Sequence, residues 1–207
     1  MILTGKKVFS EKILLIKLLN MRIISGKFKN KKIFLPTNKI TRPLKDIVRE
    51  SIFNIIEHSN LMERKILNSS VLDLYSGSGS FGLECLSRGA SKVLFCENYS
   101  PAFEVLKKNI VYLDLNNQIE LSNEKVLKFI KRLKINETKY DIIFMDPPYK
   151  QSEIIEVLNS IFEKKILKKN SLLILHRNKK TKDEFPSNFQ ILEERTYGSS
   201  KIYFGKF

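Results

Sequence analysis

Between residues 70 and 176 of this 207-residue chain, short apolar runs take turns with amphipathic stretches, and that alternation constrains the fold more than any other feature. The runs fall at 71–75, 92–96, 118–121, 140–145 and 171–175. Spacing of three and four between apolar residues predicts helices over 80–88, 101–113, 124–133 and 152–164. Runs that are apolar throughout suit strands covered on both faces, and strand–helix repetition implies parallel connections. An α/β fold around a parallel sheet is therefore expected. The tail, "FQILEERTYGSSKIYFGKF", departs from this pattern. It reads as two strands joined at Gly198-Ser199-Ser200, an antiparallel hairpin closing one edge of the sheet.

With 43% hydrophobic residues the chain can bury a sizeable core, and no apolar run has the length of a membrane span. Cys85 and Cys96 lie inside apolar segments with no metal-binding spacing, so buried free thiols are expected. Two histidines, His58 and His176, are too few and too scattered for a zinc site, and neither reads as a catalytic residue. No metal is expected.

Charge is the one extreme property: 37 basic residues against 22 acidic ones give a net +15. A sequence rich in Lys, Asn and Ile carries some of this as composition alone. Position adds more, because residues 21–50 hold nine basic and two acidic side chains. Such a patch is the footprint of a polyanionic partner. Within it, "RII" and "KIFL" flank a basic turn at 25–32 that carries Lys27, Lys29, Lys31 and Lys32, which suggests a hairpin. Thr41-Arg42-Pro43 then looks like a helix start. Leu44, Ile47, Val48, Ser51, Ile52, Ile55 and Ile56 form one helix face, leaving Arg42, Lys45 and Arg49 to point outward. The chain thus divides into an extension of unknown role at 1–20, a basic arm at 21–60 and the alternating unit at 61–207. Residues 1–20 lack a small-residue cleavage site, so no signal peptide is expected, and Met21 is a candidate working start.

Ligands of open α/β sheets sit at the carboxyl ends of the strands, and the motifs fall there. In "VLDLYSGSGSFGLE", Gly77, Gly79 and Gly82 fit G-x-G-x-x-G between a strand and a helix, with Ser76 in the same turn. The pattern alone serves either a nicotinamide dinucleotide or S-adenosylmethionine. Asp73 discriminates, since a carboxylate there would repel a pyrophosphate but suits a ligand bearing an ammonium and a sulfonium. Glu97, just past the second run, can accept both ribose hydroxyls of an adenosine.

The fourth run ends in Asp146-Pro147-Pro148-Tyr149. Two prolines remove two backbone donors and stiffen the exit from the sheet. A conjugated base amine is a poor nucleophile because its lone pair is delocalised into the ring. Hydrogen bonds from its N–H groups to the Asp146 carboxylate and the Pro147 carbonyl would favour a tetrahedral nitrogen aimed at a methyl donor. Tyr149 would stack on the base, worth about 1–3 kcal/mol for such a contact.

From Met21 to the C-terminus the sequence resembles the RsmD family of bacterial 16S rRNA (guanine-N2)-methyltransferases. The matching pieces are "MRIISGKFKNKKIFLP", "TRPLKDIVRESIFNIIEH", "VLDLYSGSGSFGLECLSRGA", "YDIIFMDPPY" and "TYGSSKIYF". The resemblance implies a Rossmann-like class I methyltransferase fold with a seven-stranded, mostly parallel sheet and an N-terminal extension. It implies S-adenosylmethionine as cofactor and, as substrate, one guanine of 16S rRNA in the assembling small subunit. Asp73, Ser76, Gly77, Gly79 and Glu97 carry over as cofactor residues; Asp146, Pro147 and Tyr149 carry over as catalytic ones. Two departures stand out. Lys125 occupies the place where relatives usually carry an acidic residue at the adenine edge, so either Glu124 or the Val126 amide takes that role. His176 ends the fifth run where relatives tend to carry Glu. Two rival functions remain: an amino-methyltransferase acting on adenine N6 or protein glutamine, and a non-catalytic RNA-binding assembly factor. A cytoplasmic monomer is expected.

Overall fold

A computed structural model describes residues 21–37, 44–62, 65–148 and 153–207. The expectations placed on residues 1–20, on Arg42, on Pro43 and on Tyr149 lie outside them.

The alternation builds one seven-stranded sheet. Its strands are β3 (Ser70–Leu74), β4 (Lys92–Cys96), β5 (Ile119–Ser122), β6 (Tyr140–Met145), β7 (Leu167–Asn178), β8 (Gln190–Tyr197) and β9 (Ser200–Lys206). Their order is β5-β4-β3-β6-β7-β9-β8. The first five run parallel, while β9 pairs antiparallel with both β7 and β8. The tail hairpin therefore closes the β7 edge. β3 is followed on one side by β4 and β5, and on the other by β6, so the sheet's switch point lies between β3 and β6.

Period-two alternation splits the side chains into two cores. Val71, Val93, Phe95, Ile142, Phe144 and Ile174 face one side. Leu72, Leu94, Ile143, Met145 and Leu173 face the other. The first face is covered by α1 (Asp46–His58), α2 (Ser80–Ser87) and α3 (Ser100–Leu113), the second by α4 (Val126–Arg132) and α5 (Ile154–Lys164). Phe81 of α2 stacks between Phe53 of α1 and Phe144 of β6, at centroid distances of 5.1 and 4.0 Å. Each such aromatic pair contributes about 0.5–1.5 kcal/mol beyond area burial, tying the first helix to the sheet.

The N-terminal hairpin pairs β1 (Met21–Arg22) with β2 (Lys32–Ile33), shorter than the two runs predicted. It rests on α2 through buried polar groups. The Glu84 carboxylate accepts from the amides of Ile24 (2.7 Å) and Ser25 (2.9 Å), and Ser87 Oγ accepts from Phe28 (2.9 Å). A Cβ on Gly26, whose φ is +81°, would lie 1.8 Å from the Ser87 carbonyl, so only glycine allows this approach.

Helix α1 corrects the sequence expectation at its buried face. It begins at Asp46, with Lys45 as N-cap, while the start expected at 41–43 lies outside the described residues. Its buried face is Val48, Arg49, Ile52, Phe53 and Ile56, while Ile47 is 65% exposed. Arg49 thus points inward, fully buried; it donates to the Arg22 carbonyl and pairs with Asp46 at 3.0 Å. The stripe is turned by about one residue so that Phe53 packs on Phe81, which carries Arg49 inward to the carbonyl at the end of β1.

Candidate active site

The β-sheet register sets the site. Leu74 is level with Cys96 on one side and Met145 on the other, and Met145 is level with Leu175. The next residues, Tyr75, Glu97, Asp146 and His176, therefore stand in a row across the carboxyl edge of four adjacent strands. Tyr75 leaves β3 at φ +59°, and Gly77 and Gly79 follow at +55° and +82°. This left-handed run folds the loop tightly before α2. A Cβ on Gly82 would come within 2.3 Å of Phe95, so the third glycine lets α2 lie close on the sheet. A Cβ on Gly77 would meet nothing within 4 Å, so that glycine answers to backbone conformation and an open face.

Asp73 is 1% exposed and faces the start of α2, where Oδ2 accepts from the Gly82 amide at 2.9 Å. Burial raises its pKa well above the usual carboxylate range; the Gly82 bond opposes this, and nearby Asp146 and Glu97 add to it. Among the described residues nothing partners Asp73 Oδ1 or Ser76 Oγ, though both atoms are buried. Glu97 is also buried, with Oε2 accepting from Gly77 and Oε1 from Tyr99, each at 2.7 Å. Burial again pushes the carboxyl pKa up, against hydrogen bonds from the Tyr99, Gly77 and Asn98 amides. Buried carboxyls beside unpartnered oxygen acceptors suit a ligand that brings positive charge and hydrogen-bond donors without phosphate, and S-adenosylmethionine is such a ligand.

At the adenine-edge position the two candidates, Glu124 and the Val126 amide, differ in whether they are already engaged. Glu124 turns away: its Oε1 binds Arg132 at 2.8 Å and Ser122 at 3.1 Å. Lys125 is the N-cap of α4 and exposed, and Val126 is the first helical residue, so its amide is among the free donors that begin a helix. Cys85 and Cys96 are buried and unpaired, and burial pushes the Cys96 thiol up to about 12, which suits packing and not nucleophilic work.

Asp146 follows β6 with its side chain 23% exposed, and its Oδ1 lies 2.7 Å from His176 Nδ1. Sequence reasoning set His176 aside; the position directly after the apolar part of β7, level with Asp146, was the signal that could have found it. Pro147 is buried, and the Pro148 carbonyl accepts from Arg177 Nη1 at 3.3 Å. Arg177 in turn pairs with Asp183 at 2.7 Å, both side chains 3% exposed. Lys27, Lys29, Lys31, Lys32 and Lys45 are exposed. Arg49, as described, is not available at the surface. No cluster among the described residues could hold a metal ion, and no described helix is long and apolar enough to cross a membrane.

Five parallel strands, a final antiparallel pair inserted as β9 then β8, and a glycine loop flanked by buried carboxyls near the switch point define a Rossmann-like class I S-adenosylmethionine-dependent methyltransferase fold. The comparisons agree. A family profile described as "Conserved hypothetical protein 95" matches residues 21–206. The "Ribosomal RNA small subunit methyltransferase D" of Buchnera aphidicola subsp. Acyrthosiphon pisum is 33% identical over 87% of this chain and 90% of its own. The Haemophilus influenzae protein of the same name is 33% identical over 88% and 93%. The solved structure of yhhF from Escherichia coli superposes with a TM-score of 0.76 at 26% identity, covering 90% of this chain and 97% of that one. The chain belongs to this family, that of the ribosomal RNA small subunit methyltransferase D proteins.

Proposed function

We propose that this chain transfers the methyl group of S-adenosylmethionine to the exocyclic N2 of a guanine in 16S rRNA, on the assembling small subunit. The observation that carries the reading is the row at the sheet's carboxyl edge, where cofactor-type carboxylates and Asp146 stand on either side of the switch point. Bound there, the cofactor supplies an electrophilic methyl group on a sulfonium.

The chain's own residues do the rest. Asp73 Oδ1 and Ser76 Oγ receive polar groups of the cofactor's amino acid end. Glu97 accepts from the ribose hydroxyls at the acceptor capacity its backbone amide bonds leave. The Val126 amide meets the adenine edge. Asp146 and the Pro147 carbonyl accept from the target amine, holding its lone pair toward the methyl group. Asp146 is also the base within reach of the proton that the nitrogen releases. Tyr149 stacks on the extruded base.

An ionised carboxylate favours guanine over adenine. Asp146 can only accept, and guanine offers two adjacent donors, N1–H and the N2 amine. Adenine would set its unprotonated N1 against the carboxylate. Residues 21–60 form the RNA arm, with Lys27, Lys29, Lys31, Lys32, Arg42 and Lys45 facing phosphates, and 61–207 form the catalytic unit. The names of the relatives, and the exposure of these lysines, support this.

The test is to map methylated nucleotides by mass in 16S rRNA from cells with and without the gene. One N2-methylguanine should vanish on deletion and return with the gene. An unchanged methylation map would overturn the proposal.

A further inference from the structure

Resting on that reading, we propose that His176 is a positioning residue: it fixes the Asp146 carboxylate so that the opposite oxygen is presented to the acceptor amine. Three observations carry this. First, the β6–β7 register, with Met145 level with Leu175, places the two side chains side by side at the strand ends. Their contact, 2.7 Å from Nδ1 to Oδ1, therefore follows from the sheet and not from a mobile loop. Second, the two groups differ in burial. His176 is 4% exposed, while the Asp146 side chain is 23% exposed, so one carboxylate oxygen is tied inward and the residue still reaches the surface.

Third, the ring has one hydrogen-bonding partner among the described residues, the Asp146 carboxylate. Among the described residues nothing meets the buried Nε2. A proton on Nε2 would be a buried donor without an acceptor, whereas a proton on Nδ1 is satisfied by Asp146. The geometry thus selects the Nδ1–H tautomer, with Nδ1 donating to Oδ1. The neighbouring residue acts in the same direction, since Arg177 holds the Pro148 carbonyl and is itself anchored on Asp183. Consecutive residues of β7 brace both ends of the Asp-Pro-Pro segment. A carboxylate free to rotate about χ1 and χ2 would spend much of its time misaligned, and misplacement of a reacting group by about 1 Å costs about a hundredfold in rate.

The experiment uses the full chain with small-subunit particles from cells lacking the gene. Two variants are compared: His176→Leu, which keeps the bulk and removes the donor, and His176→Asn, whose amide nitrogen replaces Nδ1. His176→Leu should lower kcat about ten- to a hundredfold, with cofactor Kd and KM for the particle changed by no more than about twofold. His176→Asn should recover most of the loss. A Leu variant with wild-type kcat, or equal losses in both variants, would overturn the assignment. A measurement independent of turnover covers the case of a misfolded variant: nitrogen-15 NMR of the wild-type imidazole should show the proton on Nδ1, and a proton on Nε2 would equally overturn the assignment. The variant-to-wild-type ratio is read on whichever amine the wild type methylates. Mass identification of that amine therefore tests the guanine reading separately.

Discussion

The carboxyl edge of the sheet and the N-terminal arm are both charged regions, and they are built on opposite plans. At the sheet edge, Asp73 and Glu97 are buried and held by backbone amides at 2.7–2.9 Å. In the arm the charge sits on exposed lysines, and the buried Glu84 and Ser87 of α2 hold the arm through its backbone amides. A small ligand of fixed shape rewards carboxylates that are already in place, because no reorganisation is needed when it binds. A long phosphate backbone rewards density of charge more than position, because its main contribution is counterion release. Asn109 links the two plans. Fully buried, it accepts from the Phe34 amide at 2.7 Å and donates to the carbonyls of Phe34 and Ser78, each at 3.0 Å, joining the arm to the glycine loop.

The contrast can be broken most strongly at Asp146. Asp146→Ala should lower turnover about 10²–10³-fold, the loss expected for one preorganised group, while cofactor affinity measured by calorimetry stays near wild type. Turnover close to normal would remove Asp146 from the chemistry. Glu97→Ala should act on the other quantity. Loss of a charged hydrogen-bond partner should weaken cofactor binding about ten- to a hundredfold, with a smaller fall in rate at saturating cofactor. Intact binding with lost turnover would contradict the division of labour across the switch point.

Smaller and graded effects are expected from the arm. Replacing Lys29, Lys31 and Lys32 with Gln should weaken RNA binding and reduce the slope of log K against log salt by about 0.7–0.9 per lost phosphate contact. Cofactor affinity should not change. A salt slope equal to that of the wild type would make these lysines composition and not contact.

The smallest effect concerns stability. Burial raises the folded-state pKa of Asp73 above its unfolded value, and that of Glu97 in the same direction. The folded chain therefore keeps these protons to higher pH than the unfolded chain does. Their contribution to stability is fully present below the ordinary carboxylate range and is lost as pH rises toward the raised values. Urea melts without cofactor should show stability falling over that window, and Asp73→Asn should flatten the fall. A melt series in which the variant and wild type keep the same slope would contradict the burial cost assigned to Asp73.

Much of this was legible in the sequence because it rests on local pattern. Strands β4 and β6 fall where their apolar runs end, since charged or proline-bearing segments bound them on both sides. The left-handed turn needs glycines, and the glycines mark it. What was not legible depends on pairing across strands or on helix rotation. β7 extends from Leu167 to Asn178, well beyond the apolar run at 171–175. Its first residues carry lysines, one of which pairs with Asp141, so their strand character shows only in the contact with β6. His176 gains its meaning from register, which a single strand cannot display. The apolar spacing of the helix leaves Arg49 off the expected buried stripe. In the fold, the helix face turns so that Phe53 packs on Phe81, and Arg49 is carried inside to the carbonyl at the end of β1.

One reconstitution shows whether the row at the sheet edge performs methyl transfer to a guanine amine. Purified chain, S-adenosylmethionine with a labelled methyl group and small-subunit particles from cells lacking the gene are combined, and the RNA is digested to nucleosides and separated by mass. Label should appear in N2-methylguanosine with the wild type and be reduced about 10²–10³-fold with Asp146→Ala. Label in N6-methyladenosine, in protein, or in no product at all would contradict the account.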